Sequence, residues 1–224
     1  MFQGFNEETI AFLWGVRFNN EKGWFEQNKP SYLSNVYEPM KALCYEVFDE
    51  MRKRFPEQEM ICKVSRIYRD ARRLYGRGPY KDHLWFSIRR GGENWEERPT
   101  FWLEIAPEGY SWGLGFWGAK TYTMEQFRKE LDTNPERLRP IAEKLAGSKR
   151  FTLVGEEYAR KKGDPGGVLS AWYNRKHIML ERSGPYDELS FSPALKDELV
   201  EGFSELMPLY QYFELFVSRI NPQM

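Results

Sequence analysis

The alternation of apolar and polar positions predicts helices at both ends of the chain and strands between them. Asn6 can cap a helix that begins at Glu7, where acidic residues suit the positive end of the helix dipole. Farther along, apolar residues recur at i, i+3, i+4, i+7, i+8 and i+11, which predicts one buried helical stripe. The stripe consists of Met40, Leu43, Cys44, Val47, Phe48 and Met51. Pro39 is either a first-turn residue of this helix or a kink in a helix that begins near Ser31.

After Pro56 the pattern changes to short runs of β-branched and aromatic residues bounded by Gly or Pro, which predicts strands. The four predicted strands are Ile61 to Tyr68, His83 to Ile88, Thr100 to Ala106 and Ser111 to Trp117. The turn residues Pro107 to Gly109 predict a hairpin between the last two.

The rest of the chain returns to helix, then strand, then helix. Helical spacing covers Met124 to Leu131 and Glu136 to Leu145, and strand composition covers Phe151 to Tyr158 and Lys176 to Glu181. In the tail, Ser192 caps and Pro193 opens one helix, and Pro208 opens a second. The order predicts one α+β domain over residues 1–224, with a mostly antiparallel sheet of about six strands, helices packed on it and helices at both ends.

Composition limits the class of protein. Hydrophobic residues at 41% and charged residues at 29% are near globular averages. The start, MFQGFNEETI, lacks the pattern of a signal peptide, and the chain has no run of about 18 apolar residues. We therefore expect a cytoplasmic protein without a membrane partner. Cys44 and Cys62 are too few for a disulfide framework or a thiolate zinc site, so we expect reduced core cysteines, no metal and no cofactor.

The charge is balanced overall but segregated along the chain. The chain has 33 Lys or Arg residues and 33 Asp or Glu residues, a balance that argues against a nucleic-acid partner. Residues 63–90 hold nine Lys or Arg against two Asp, a net of +7, so the remainder holds 24 against 31, a net of −7. Such asymmetry can attract anions. In the alternative, the acidic segment Asp197 to Glu205 folds back and pairs with it.

One short pattern imitates a cofactor motif. GLGFWG, residues 113–118, matches G-x-G-x-x-G, which in a dinucleotide fold precedes a helix that binds a pyrophosphate. Large apolar residues separate these glycines, and helical spacing resumes only near Met124. We interpret them as glycines that allow close packing or a bulge in a β hairpin.

Strand alternation draws attention to two arginines. Val64, Arg66 and Tyr68 would share one face of a strand, and Ser65, Ile67 and Arg69 the other. One of the two arginines is then partly buried and needs a planar acceptor. The acceptor is either a carboxylate, such as Asp70 or Glu104, or an anionic group of a ligand.

Asp70, His83 and Glu104 are the candidates for an acid or base if the protein carries out chemistry. Glu104 lies among apolar residues in FWLEIAP, where burial would raise its pKa unless a cation, such as an arginine of the 66–77 segment, lies close. His83 follows Asp82, and its alternative role is a strand-end histidine bonded to backbone. The serines lack a Gly-x-Ser-x-Gly elbow.

These residues support two hypotheses. The first is a pocket for a small anionic ligand, phosphorylated or nucleotide-like, in which cations bind the charge and aromatic rings stack. Its candidate residues are Arg66, Tyr68, Arg69, Asp70, Arg73, Tyr80, Lys81, His83, Glu104 and Trp112. The second is a protein-interaction module with an exposed aromatic and arginine patch. A purely structural Arg and Tyr network that braces the loop is the alternative to both.

Three blocks of the sequence resemble a known bacterial family. RIYRDAR followed by GPYKDH, the start FNEETIAFLWGVRFNNEKGWFEQNK and the later FWLEIAPEGYSWGLGFW are similar to the family called Domain of Unknown Function 2461. The resemblance implies a soluble α+β domain and carries no activity, cofactor or catalytic residue. Many relatives have Phe-Ser and further lysines where this chain has Leu74 to Arg77.

Overall fold

The computed structural model describes residues 1–92 and 95–220, and the side chain of Arg73 lies outside this description. The chain opens with α1, Glu7–Phe18, which confirms the predicted cap: the Thr9 amide donates to Asn6 Oδ1 at 2.9 Å. The Asn6 amide donates in return to Thr9 Oγ1 at 3.2 Å, which completes a capping box. The helix ends at Phe18, and Asn19 is its C-cap.

The helical segment around Pro39 combines both sequence alternatives. Helix α2, Lys22–Tyr32, continues into a π-helical turn, Leu33–Tyr37, and then into α3, Glu38–Arg54. Pro39 therefore lies in the first turn of α3, and the wider π turn precedes it. Five residues of the predicted stripe are buried, namely Met40, Leu43, Cys44, Val47 and Met51. Phe48, the sixth, is partly buried and packs against the same core.

A six-stranded antiparallel sheet forms the centre of the described part of the chain. Its strands are β1 Met60–Val64, β2 Leu84–Arg90, β3 Thr100–Ala106, β4 Gly109–Gly115, β5 Thr152–Val154 and β6 Met179–Gly184. Their order across the sheet is β1-β2-β3-β4-β6-β5. Strands β3 and β4 form the predicted hairpin. These features confirm the predicted α+β class, with helices at both ends.

Helices between and after the strands complete the fold. They are α4 Thr121–Thr133, α5 Pro135–Ser148, the short α6 Ser170–Tyr173 and α7 Ala194–Ile220. The prediction of two tail helices is wrong, because Pro208 lies inside the single helix α7. An interior proline costs about 3 kcal/mol. The apolar stripe of α7, buried on both sides of Pro208 from Leu199 to Phe216, provides the packing that offsets this cost.

The two faces of the sheet have different environments. The helix-covered face packs on α3 and α7, and its aromatic contacts include Phe101 with Phe203 at 5.0 Å and Trp112 with Phe203 at 5.7 Å between ring centroids. We call the opposite side the second face. Alternation along the paired strands places Trp85, Glu104, Ser111 and Glu181 on the second face.

In the part of the chain that the structure describes, no helix has both the length and the apolar character needed to cross a bilayer.

Candidate functional site

The segment of residues 65–83, here called the basic loop, connects β1 to β2. The predicted strand from Ile61 to Tyr68 is wrong in its second half, because β1 ends at Val64. The loop is closed instead by two backbone hydrogen bonds, from the Arg69 amide to the Pro79 carbonyl at 2.8 Å and from the Lys81 amide to the Ile67 carbonyl at 2.7 Å. These bonds join the two arms of the basic loop at the edge of the sheet. The outgoing arm follows β1, and the returning arm, residues 79–83, leads into β2.

Tyr80 fixes the returning arm of the basic loop to the N-terminal helices. The Tyr80 amide donates to Asn20 Oδ1, and Asn20 Nδ2 donates to the Tyr80 carbonyl, both at 2.9 Å. Its ring stacks on Phe25 at 4.1 Å between centroids and is buried. Tyr80 is thus a core residue, and its ring is not available to a ligand.

Arg69 is the partly buried arginine that alternation predicted, with 16% of its side chain exposed. Its Nε donates to the Tyr80 carbonyl at 2.8 Å, and its Nη2 lies 3.7 Å from Asp82 Oδ1. The predicted carboxylate acceptors were Asp70 and Glu104, whereas the observed one is Asp82. The difference arises because the chain leaves the sheet before Arg69, so strand geometry does not set its direction. Arg69 therefore braces the loop internally.

Asp82 joins three basic side chains. It accepts a hydrogen bond from Arg17 Nε at 2.6 Å, and His83 Nδ1 lies 3.2 Å from its Oδ1. Burial acts to raise the pKa of Asp82, but the hydrogen bonds from Arg17 and His83 outweigh it and hold the pKa below its usual range. Arg17 also pairs with Glu108, which ties α1 to the β3–β4 hairpin. An ionised Asp82 thus orients the His83 ring and leaves its other nitrogen for a different partner.

Lys81 lies on the second face without a strong partner. Its ammonium is 5.9 Å from the centroid of the Trp85 ring, and it makes no hydrogen bond or ion pair with the described residues. Burial lowers the pKa of Lys81 to about 8, with Glu104 opposing the shift and the cations Arg69 and Arg66 adding to it. The site thus holds a partly desolvated ammonium that Glu104 attracts and that Arg69 and Arg66 repel.

Glu104 is the carboxylate nearest to this charge. Burial raises its pKa, as predicted; His83 and Lys81 oppose the shift, while Glu181 adds to it. The basic residues that oppose the shift are therefore His83 and Lys81, not an arginine. Glu104 also lines a shallow groove of about 320 Å³ with Ser111, Glu181 and the ends of the adjoining strands.

Tryptophan rings form the apolar part of the second face beside Lys81. Trp85 stacks on Trp117 at 5.7 Å and lies 6.1 Å from Trp95, and Trp117 also meets Trp102 at 5.8 Å. Trp117 is 40% exposed, so part of this aromatic surface is open to a ligand. The predicted Trp112 is not in this group. It pairs with Leu103, not with Glu104, and is fully buried on the helix-covered face.

The remaining predicted residues lie around the outside of the basic loop. Arg66 is exposed and makes no ion pair or hydrogen bond with the described residues. Tyr68 is half exposed, while Asp70 accepts from the Arg72 backbone and guanidinium. Arg73 was also predicted for the site, and its side chain lies outside the described part of the chain. Of the predicted set, the structure brings Lys81, His83 and Glu104 together, with Arg66 and Arg69 adjoining.

Sequence reasoning missed three contributors to the site. Trp85 and Glu181 share the second face with Glu104, and strand alternation could have indicated this once the register was known. Arg17 lies in another helix, 65 positions before Asp82, and no local pattern predicts that contact.

Among the described residues, the acidic segment Asp197 to Glu205 does not neutralise residues 63–90, here called the basic segment. Within Asp197 to Glu205, the long-range ion pairs that the structure shows go to other parts of the fold: Arg182–Glu198, Arg150–Glu205 and Arg54–Glu201. These carboxylates therefore do not pair with the described side chains of residues 63–90, and this alternative is wrong.

The glycines of GLGFWG belong to β4 and the turn after it. A Cβ on Gly113 would lie 1.8 Å from the Leu180 carbonyl oxygen, so close approach of β6 requires glycine there. Helix α4 begins at Thr121, after this turn. Among the residues described, no three His, Cys, Asp or Glu side chains are grouped as metal ligands.

Comparison with known proteins gives one family. The family described as Conserved hypothetical protein (DUF2461) matches residues 8–212 of the 224-residue chain. A comparison with curated proteins finds no match.

Proposed function

The chain belongs to the family described as Conserved hypothetical protein (DUF2461), and for this member we propose binding of a small organic anion against Lys81. The observation that supports the proposal is the half-buried Lys81 ammonium, which has no ion-pair partner among the described residues. A buried charge is costly unless it is paired. An anionic group would supply the missing partner and offset the repulsion from Arg66 and Arg69.

Other residues can complete the contact with such a ligand. Arg66 is exposed and unpaired within the described chain, so its guanidinium can bind a phosphate or carboxylate with two hydrogen bonds. The ring nitrogen of His83 that faces away from Asp82 is a further hydrogen-bonding group. Trp85 and Trp117 offer ring faces to an aromatic or sugar portion. Arg69 is already bonded to Tyr80 and Asp82, so we assign it to bracing.

A thermal-shift experiment tests the proposal. The probes are inorganic phosphate, a sugar phosphate, a nucleoside monophosphate and the matched uncharged nucleoside. We expect an organic phosphate to raise the melting temperature, since a ligand at 100 times its Kd stabilises the native state by about 2.7 kcal/mol. Added salt should weaken the effect by screening, and the nucleoside should have none.

The variants Lys81→Met and Lys144→Met carry the same change of charge. Lys144 is an exposed residue of α5 remote in sequence from the basic loop, so its variant should keep the full ligand-induced shift. Lys81→Met retains an unbranched chain against Trp85 but removes the ammonium, so the shift should disappear. An empty screen of the wild-type protein, or an equal shift in both variants, would contradict the proposal.

A protein-interaction role is the second candidate, and the outer part of the basic loop favours it. Tyr75 is 81% exposed and lies two positions from Arg77, while Tyr68 is half exposed and precedes Arg69. Exposed tyrosine and arginine are common at interfaces. If no small anion binds while Tyr75→Ala abolishes a saturable interaction with a purified partner, this second role replaces the first.

A cytoplasmic location belongs to the same proposal. Its support is that both cysteines are free thiols, which is the usual state in a reducing compartment.

A further inference from the structure

The two cysteines of the chain lie on surfaces that pack against each other. Cys44 is on the buried stripe of α3, and α3 packs on β1 and β2. Cys62 pairs with the buried Ile88, which places its side chain on the helix-covered face of β1. Both are free thiols, Cys44 buried and Cys62 partly accessible at the edge of the sheet.

Each thiol also affects the pKa of the other across the packing of α3 on β1. Hydrogen bonding to Cys44 lowers the pKa of Cys62, and the same interaction together with burial raises the pKa of Cys44. Cys62 is therefore the thiol with more thiolate character and more access to solvent, which are the two properties that determine cysteine reactivity. Cys44 supplies the second thiol, because α3 packs on β1 and Cys44 is shielded from an external oxidant; its raised pKa makes its deprotonation the slower step.

From this arrangement we propose that Cys44 and Cys62 form a reversible intramolecular disulfide when the protein meets a low-molecular-weight disulfide such as oxidised glutathione. The Cys62 thiolate attacks one sulfur of the oxidant, which forms a mixed disulfide and releases one glutathione thiolate. The Cys44 thiol then loses its proton and attacks the Cys62 sulfur, which forms the protein disulfide and releases the second glutathione. The two protein thiols are oxidised, and the oxidant is reduced to two glutathione molecules, which take up the two protons.

The bond would connect α3 to β1 at the edge of the sheet. Since β1 leads directly into the basic loop, the disulfide would fix the strand that precedes the proposed ligand site. A crosslink between residues 44 and 62 also restricts the unfolded chain, so the oxidised protein should melt at a higher temperature than the reduced one.

The experiment incubates the reduced full-length protein with defined ratios of oxidised and reduced glutathione, followed by intact-mass measurement and thiol counting. The wild-type protein should lose two hydrogens, remain monomeric in mass and retain no free thiol. Cys44→Ser should instead keep one glutathionyl group on Cys62, because no second thiol can displace it. Cys62→Ser should remain unmodified, because Cys44 is buried.

Other patterns would overturn the proposal. If the wild-type protein keeps both thiols, or stops at the mixed disulfide like Cys44→Ser, then the two sulfurs do not reach bonding geometry. Crosslinked dimers in place of a monomeric disulfide would also overturn it. The decisive measurements use the wild-type protein, so poor folding of a serine variant does not prevent the test.

Discussion

Lys81 and Glu104 are half-buried charges on the second face, and they should affect stability with opposite dependence on pH. The folded-state pKa of Lys81 is about 8 and its ordinary value is 10.5. Between these values the unfolded chain holds a proton that the folded protein has lost, so the free energy of unfolding rises with pH across this window. The pKa of Glu104 is higher in the folded protein than its ordinary value of 4.5. Its contribution to the free energy of unfolding is therefore complete below pH 4.5 and is lost as the pH rises through the folded-state pKa.

We predict that Lys81→Met is more stable than the wild-type protein below pH 8, and that the difference decreases toward pH 10.5. Solvent screening limits the gain to about 1 kcal/mol. Glu104→Gln should be more stable than the wild-type protein at neutral pH and equal to it in acid. Urea denaturation across the pH range measures both. Lys144→Met is the control, and a pH-independent difference for Lys81→Met would show that packing, not charge, is the cause.

The same residues show how far a sequence can specify a site. The raised pKa of Glu104 was predictable, because its apolar neighbourhood is visible in the sequence itself. Strand alternation predicted that Arg66 or Arg69 is partly buried, but β1 ends before both residues. Their partners were not predictable. Asp82 meets Arg17 only because α1 packs beside the returning arm of the basic loop. Trp112 was assigned near Glu104, although the strand register puts its ring on the other side of the sheet.

At the scale of the elements, the β4–β6 contact depends on glycine. A Cβ on Gly115 would lie 2.6 Å from Met179 Cγ and 2.7 Å from the Ile178 carbonyl oxygen. The backbone atom cannot move away without a shift of the strand. Gly115→Ala should therefore destabilise the protein by about 1 to 3 kcal/mol, the usual cost of overpacking.

Gly147→Ala is the control for this prediction. Gly147 lies in α5, and an added Cβ there would have no atom within 4 Å. Alanine in a helix should leave stability unchanged or raise it by up to about 1 kcal/mol. Chemical denaturation compares the two variants. If Gly115→Ala is as stable as Gly147→Ala, the glycines of GLGFWG are not required by β packing.

Elements with a clear period were predicted well, and elements set by packing were not. The bounds of β3 agree with the prediction at both ends, because its β-branched and aromatic residues lie between Pro99 and Pro107. The stripe of α3 was likewise readable from its spacing. Pro208 was misinterpreted as a helix start, since a local rule cannot show that burial along α7 offsets one lost hydrogen bond.

At the scale of the whole molecule, charge is arranged so that the proposed site stays positive. Carboxylates of α7 bind Arg54 of α3 and Arg182 of β6, which are outside the basic loop. Arg90, at the end of the basic segment, lies 3.8 Å from Glu214. The loop itself keeps Arg66 and Lys81 without carboxylate pairs in the described chain. The proposed anion binding by a protein with no net charge requires a distribution of this kind.

The continuous sheet and core predict that the whole chain unfolds in one step. Buried residues from Phe2 to Val217 form one hydrophobic cluster, and six strands in one sheet connect its two ends. Leu43 of α3 and Leu199 of α7 are both fully buried, so each change to alanine should cost about 2 to 5 kcal/mol.

We expect both variants to shift the same single transition, measured in parallel by far-ultraviolet circular dichroism and tryptophan fluorescence. The two probes should give the same midpoint in each variant, because coincident transitions are the mark of two-state unfolding. Two transitions, one moved only by Leu43→Ala and the other only by Leu199→Ala, would instead show that the N-terminal helices and α7 belong to separate cooperative units. Since α3 and α7 pack on the same sheet face and on each other, the loss of either contact should weaken the other.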